Sequence, residues 1–81
     1  MLKYTLVRKK SGCPNCDRLG EMLNERKIVV PHVFAEDHMD FCREHNIRMV
    51  PCLVVHQENR EFEKLIFNVE EIVKELEKNN G

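Results

Sequence analysis

The stretch Ser11-Gly12-Cys13-Pro14-Asn15-Cys16 decides how this chain is read, because it sits where a strand-forming run gives way to a helical stripe. Before it, Leu2 to Arg8 carries Tyr, Thr, Leu and Val, a strand-forming set, and runs into the basic triplet Arg8, Lys9, Lys10. After it, Cys16, Leu19, Gly20 and Leu23 recur at i, i+3, i+4, i+7, with Asp17, Arg18, Glu21 and Asn24 off that stripe. That spacing predicts an amphipathic helix from Pro14 to about Lys27. Ser11 and Gly12 break the strand, and Pro14 suits a first helical position, where its missing N–H costs nothing and its fixed φ fits. A CxxC at a strand-to-helix turn is a far stronger signal than a CxxC alone.

Working outward, Ile28 to Phe34 is β-branched and aromatic, and Pro31 within it predicts an edge strand, since proline cannot complete a ladder. Asp37 reads as the N-cap of a short second helix ending near Asn46, with Phe41 and Cys42 on its inner face. Met49 to Val55 is a continuous apolar run suited to a central strand buried on both faces. Gln57 to Arg60 is a polar turn, and Phe62 to Phe67 returns as an antiparallel partner. Asn68 followed three residues later by Glu71 marks the N-cap of a last helix. Val69, Ile72, Val73 and Leu76 form its stripe, and Asn79, Asn80 and Gly81 stop it. The order βαβ, α, ββα predicts an α/β fold. Its sheet is mixed and four-stranded, in order 2-1-3-4, with three helices covering both faces.

Length and composition bound the function. At 81 residues, a single domain spanning 1–81 is expected, and a chain this short hides only about 60 % of its unfolded surface, leaving no room for a deep buried active site. A formal net charge of −1 offers no electrostatic case for a nucleic-acid partner. No run approaches the ~18 apolar residues of a membrane span, and the start MLKYTLVRKK lacks the apolar core of a signal peptide. A cytoplasmic location is therefore expected, and there short-spaced cysteines bind metal or do redox chemistry more often than they staple a fold.

At the N-cap, Cys13 faces unpaired helix amides and the positive end of the helix dipole. Both stabilise a thiolate, the attacking species, and Arg8, Lys9 or Lys10 adds positive charge. Cys16, one turn further in and less exposed, is placed to close a disulfide on Cys13. Cys13 attacks and Cys16 resolves. The alternative is a zinc- or iron–sulfur-binding adaptor or carrier using the CxxC, with ligands drawn from Cys42, Cys52, His32, His38 and His45. Structural zinc usually draws on two close-spaced pairs, and Cys42 and Cys52 do not make a second one, so no metal ligand is assigned. Cys42 is expected as a partly buried helix residue and Cys52 as core.

CPNC after the first strand, with Val50-Pro51 before the third, resembles the glutaredoxin-like branch of the thioredoxin superfamily over essentially the whole chain. The resemblance implies a thioredoxin fold, a cis peptide bond before Pro51, and Val50 and Pro51 as contacts that pair with substrate like an added strand. Arg48 and Met49 stand in the family's Arg-Thr-Val-Pro segment, with Met49 replacing threonine. A basic residue just upstream of the CxxC, Lys9 or Lys10, resembles the one that takes the glutathione carboxylate. The implied partners are a disulfide-containing protein, ribonucleotide reductase among the candidates, and a recycling reductant, either glutathione or a thioredoxin-reductase-type flavoenzyme. No cofactor is implied as resident, and a monomer is expected. Two departures stand out. Gly12 replaces the aromatic residue usual before the first cysteine, and Ile66-Phe67-Asn68-Val69-Glu70 replaces the double glycine and acidic pair of glutathione-using members.

Overall fold

A computed structural model describes residues 2–57 and 63–80. The elements are β1 (Leu2–Arg8), α1 (Pro14–Glu25), β2 (His32–Phe34), α2 (Met39–Glu44), β3 (Cys52–Gln57), β4 (Glu63–Ile66) and α3 (Val69–Asn80). They build one sheet in the order β2-β1-β3-β4. β1 pairs with β2 in parallel, while β1–β3 and β3–β4 are antiparallel. This is the mixed, four-stranded arrangement the element order predicts. The turn expected after Gln57, the start of the fourth strand at Phe62, and Gly81 lie outside the described residues.

Side-chain alternation along β3 explains why its sequence is apolar throughout. Leu53 and Val55 face one layer with Leu6 and Ile66, against Leu19 and Leu23 of α1 and Val69, Ile72, Val73 and Leu76 of α3. Cys52 and Val54 face the other with Val7 and Ile47, covered by Phe41 and Cys42 of α2 and by Phe67. Strand residues two apart share a face, so a strand covered on both sides has no polar position to offer. Beyond the end of α2, His45 contacts Glu63 of β4 through Nδ1 and packs at a tilt on Phe41, with ring centroids 4.2 Å apart.

Asn79 and Asn80, expected to stop the last helix, instead form its final residues, since asparagine is tolerated at a helix end; three further boundaries differ from expectation, each for a local reason. β2 begins at His32 instead of Ile28, because residues 26–28 are consumed in ending α1. The Ile28 N–H donates to the Leu23 carbonyl at 2.9 Å and Lys27 N–H to that of Asn24 at 3.1 Å, with Lys27 left-handed at φ 56. This is a Schellman motif, completed by apolar packing of Ile28 with Leu23. Pro31 therefore precedes the strand, and its carbonyl accepts from Leu6 N–H at 2.9 Å. β3 begins at Cys52, since Pro51 has no N–H for the ladder, and Met49 stands 60 % exposed in the approach. Asp37 does not cap α2. It closes a 3₁₀ turn over Ala35–Asp37, the N-cap is His38 with no side-chain cap bond, and the Asp37 carboxylate instead binds Lys10 Nζ at 2.9 Å.

α2 ends like α1, with Asn46 left-handed at φ 61 and Ile47 N–H donating to the Cys42 carbonyl at 2.8 Å. At α3 the Asn68 side-chain oxygen accepts from Glu71 N–H at 3.1 Å, as its spacing predicts. Asparagine tolerates the left-handed conformation better than lysine does, so the unfavourable backbone is at Lys27. Lys27→Gly is expected to stabilise the protein by about 1 kcal/mol, read as a higher urea midpoint at unchanged m-value.

Candidate active site

Gly12 turns the chain out of β1 with φ 71, a left-handed backbone that an aromatic residue would strain. No atom lies within 4 Å of where its Cβ would be, so conformation and not crowding is what glycine satisfies here. Cys13 follows as the N-cap of α1 in extended conformation, with Pro14 at the first helical position. Cys13 Sγ accepts from the Cys16 backbone N–H at 3.2 Å, and the Cys13 carbonyl takes Asp17 N–H at 3.0 Å. The sulfur thus occupies the place of a capping oxygen, where helix amides converge.

Cys13 and Cys16 are joined as a disulfide, with Cα atoms 5.2 Å apart. Cys13 is the more open of the two, as its position predicts, yet only 8 % of it is accessible against 2 % of Cys16. The expected exposed sulfur is in fact nearly covered. The loop before β3 approaches it: the Val50 carbonyl oxygen lies 4.0 Å from Cys13 Sγ. The Val50–Pro51 peptide bond is cis, and Pro51 is buried. The β1–β3 register, with Val7 opposite Cys52, makes this neighbourhood inevitable: the exit of β1 and the approach to β3 lie side by side.

A cleft of about 430 Å³ runs from this loop toward α2, and Arg48, Met49 and Val50 line it together with Lys9, Met39 and Cys42. Of the five residues expected around a substrate, Arg48, Met49 and Val50 line this cleft, while Pro51 and Lys10 do not. The Lys10 backbone N–H donates to Glu36 at 3.2 Å and its ammonium is hydrogen-bonded to Asp37, which raises its pKa. Lys9 is the upstream cation on the cleft. Lys10 Nζ and the Arg8 guanidinium both approach the ring of Phe34, at 5.8 and 6.0 Å from its centroid.

The other two thiols are free. Cys42 is half-buried at the cleft, a placement no spacing in the sequence signals. Cys52 is fully buried, and desolvation, with the nearby Cys42 adding to it, pushes its thiol from the ordinary 9.0 up to about 11. Among the described residues, no three His, Cys, Asp or Glu side chains gather to hold a metal ion, so Cys42, Cys52 and the histidines do not join the CxxC in one ligand set. No described helix is long and apolar enough to cross a membrane.

No protein-family profile matches the sequence, and no curated protein sequence does either. Solved structures do match. The solution structure of oxidised thioredoxin from Plasmodium falciparum superposes with a TM-score of 0.71 at 17 % identity, over 99 % of this chain and 82 % of that one. A structure described only as a malarial protein gives 0.66 at 13 %, over 98 % and 96 %. The chain has the thioredoxin fold, with a disulfide-bonded CxxC at the head of its first helix.

The Cys52 thiol couples stability to pH. The folded state keeps a proton that the unfolded chain releases near 9, so the stability this provides is intact below pH 9 and is lost as pH rises through about 11. Between pH 8.5 and 10.5, urea denaturation is expected to show the wild type losing about 2 kcal/mol more than Cys52→Val. Parallel pH curves for the two proteins would contradict this.

Proposed function

We propose that this protein is a glutaredoxin-like thiol–disulfide oxidoreductase, a single domain that reduces protein disulfides by dithiol exchange. The observation that carries the reading is the capping geometry of Cys13: its sulfur receives a helix N–H at 3.2 Å, sits 4.0 Å from the Val50 carbonyl, and is bonded to Cys16. The same donors that hold the disulfide sulfur stabilise a thiolate once the bond is reduced.

In the reduced protein, the Cys13 thiolate attacks one sulfur of a substrate disulfide, and the other sulfur leaves as a thiolate that takes up a proton. The Cys16 thiol then gives up its proton and attacks Cys13 Sγ. This releases the second substrate sulfur and leaves the Cys13–Cys16 disulfide. Two thiol equivalents of a reductant restore the dithiol and depart as their own disulfide. An extended substrate segment lies along Val50 and Pro51, with Met49 offering an adaptable apolar contact and Arg48 and Lys9 the cations. Lys10, engaged by Asp37, orders the turn that carries the cysteines. Cytoplasmic thiol chemistry fits this role, with ribonucleotide reductase one disulfide-bearing partner of the right kind. Either glutathione or a thioredoxin-reductase-type flavoenzyme is the electron source.

Cys13→Ser is expected to abolish reduction of a protein disulfide, while Cys16→Ser retains the first step and accumulates a mixed disulfide visible by mass spectrometry. Trapping by Cys13→Ser and not by Cys16→Ser would reverse the assignment. Turnover with each recycling system in parallel identifies the reductant.

A further inference from the structure

Of the three cations upstream of the CxxC, Lys10 is paired with Asp37 and Lys9 lines the outer cleft; Arg8 lies elsewhere. It ends β1 beneath α1, in a second cleft shared with Leu6, Gly20, Leu23, Asn24 and His32. Its Nε is shut off from solvent and has no hydrogen-bond partner, and no carboxylate among the described residues pairs with its guanidinium. Among the described residues, the ring of Phe34 is the partner it has, 6.0 Å away. A part-buried cation without a counter-charge is costly, and this chain has carboxylates to spare. The α1 carboxylates Asp17, Glu21 and Glu25 are all on exposed residues, and His32 is the one other titratable residue lining the cleft.

Arg8 Nη1 lies 3.9 Å from where a Gly20 Cβ would stand. Gly20 is one helical turn beyond Cys16, and Cβ positions one turn apart are about 6 Å from each other, so the guanidinium is within roughly 10 Å of Cys16. In the oxidised protein neither sulfur is charged. When a reductant thiolate attacks Cys13 Sγ, the S–S bond breaks, its electron pair departs on Cys16, and a negative charge arises on a sulfur only 2 % exposed. Burial opposes that charge.

Resting on the oxidoreductase reading, we propose that Arg8 is a positioning residue acting through Cys16: its unpaired guanidinium stabilises the Cys16 thiolate, making it a better leaving group and holding the disulfide at a more oxidising potential. A second attack, by another reductant thiolate on the mixed disulfide, completes the two-electron reduction. It releases the reductant as its disulfide and leaves Cys13 and Cys16 reduced, each taking up a proton according to its own titration, so that a Cys16 held ionised by Arg8 favours the reduced state.

The test compares full-length wild type, Arg8→Gln and Arg8→Lys, equilibrated in mixtures of reduced and oxidised glutathione and read by alkylation and mass shift. In parallel, the ultraviolet absorbance of the Cys16 thiolate is titrated in a background in which Cys13→Ser, Cys42→Ser and Cys52→Val leave it the one thiol. Arg8→Gln is expected to move the equilibrium about tenfold toward the disulfide, ~30 mV more negative, and to raise the titration midpoint of Cys16 by about one unit. Arg8→Lys, which keeps the charge, should stay close to wild type. If Arg8→Gln does not fold, Arg8→Met keeps the stem packing and carries the same expectation. An unchanged potential in the uncharged variants, or Arg8→Lys matching them, would overturn the proposal while leaving the oxidoreductase reading intact. A wild-type pair that does not cycle between disulfide and dithiol would remove that reading and this proposal together.

Discussion

The antiparallel pairing of β1 with β3 is the constraint on which the rest depends. Six residue pairs in register, from Leu2 opposite Gln57 to Val7 opposite Cys52, join segments 45 to 55 residues apart in the chain and bring two unrelated sequence features to one end of the sheet. One is the turn that starts α1 and carries the cysteines; the other is the proline-containing approach to β3. A slip of one residue would turn every β3 side chain to the opposite face, sending Cys52 and Val54 into the α1–α3 layer and Leu53 and Val55 toward α2. It would also pull Val50 out of line with Cys13. Packing and chemistry thus depend on the same hydrogen-bond ladder.

Around that ladder, the helix ends do as much as the helix interiors. α1 is capped at its start by a sulfur and closed at its end by a left-handed lysine. α2 closes on a left-handed asparagine, and α3 opens on an asparagine cap. In a chain with so small a core these local bonds matter, because each satisfies a backbone group that packing alone would leave stranded.

Much of this was legible in the residues themselves. Strand-forming composition, one continuous apolar run and helical stripes placed four strands and three helices, and Cys13-Pro14 marked the head of α1, because cap, first-turn and stripe residues act within one or two turns of themselves. What escaped reading depends on residues distant in sequence. Asp37 has the chemistry of an N-cap but is claimed by Lys10 from 27 positions away. Lys9 and Lys10 are alike in sequence and part company only when Glu36 and Asp37 arrive beside one of them. The Val50 carbonyl comes within 4.0 Å of Cys13 Sγ, and no local pattern reports how closely a loop 37 residues away will approach. Pro31 pointed correctly to an edge strand but stands just outside it, because the closing bonds of α1 take up the residues in between.

The position of Cys52 has a consequence for fidelity. It directly follows the proline of the site, so a reactive thiol there would be well placed to attack the Cys13–Cys16 bond and exchange the native bridge for a wrong one. Thiol–disulfide exchange needs a thiolate with access, and Cys52 has neither: it is wholly enclosed between sheet and helix, and its proton is held up to about 11. The sulfur that directly follows the proline of the site is thereby kept out of exchange with the Cys13–Cys16 bond.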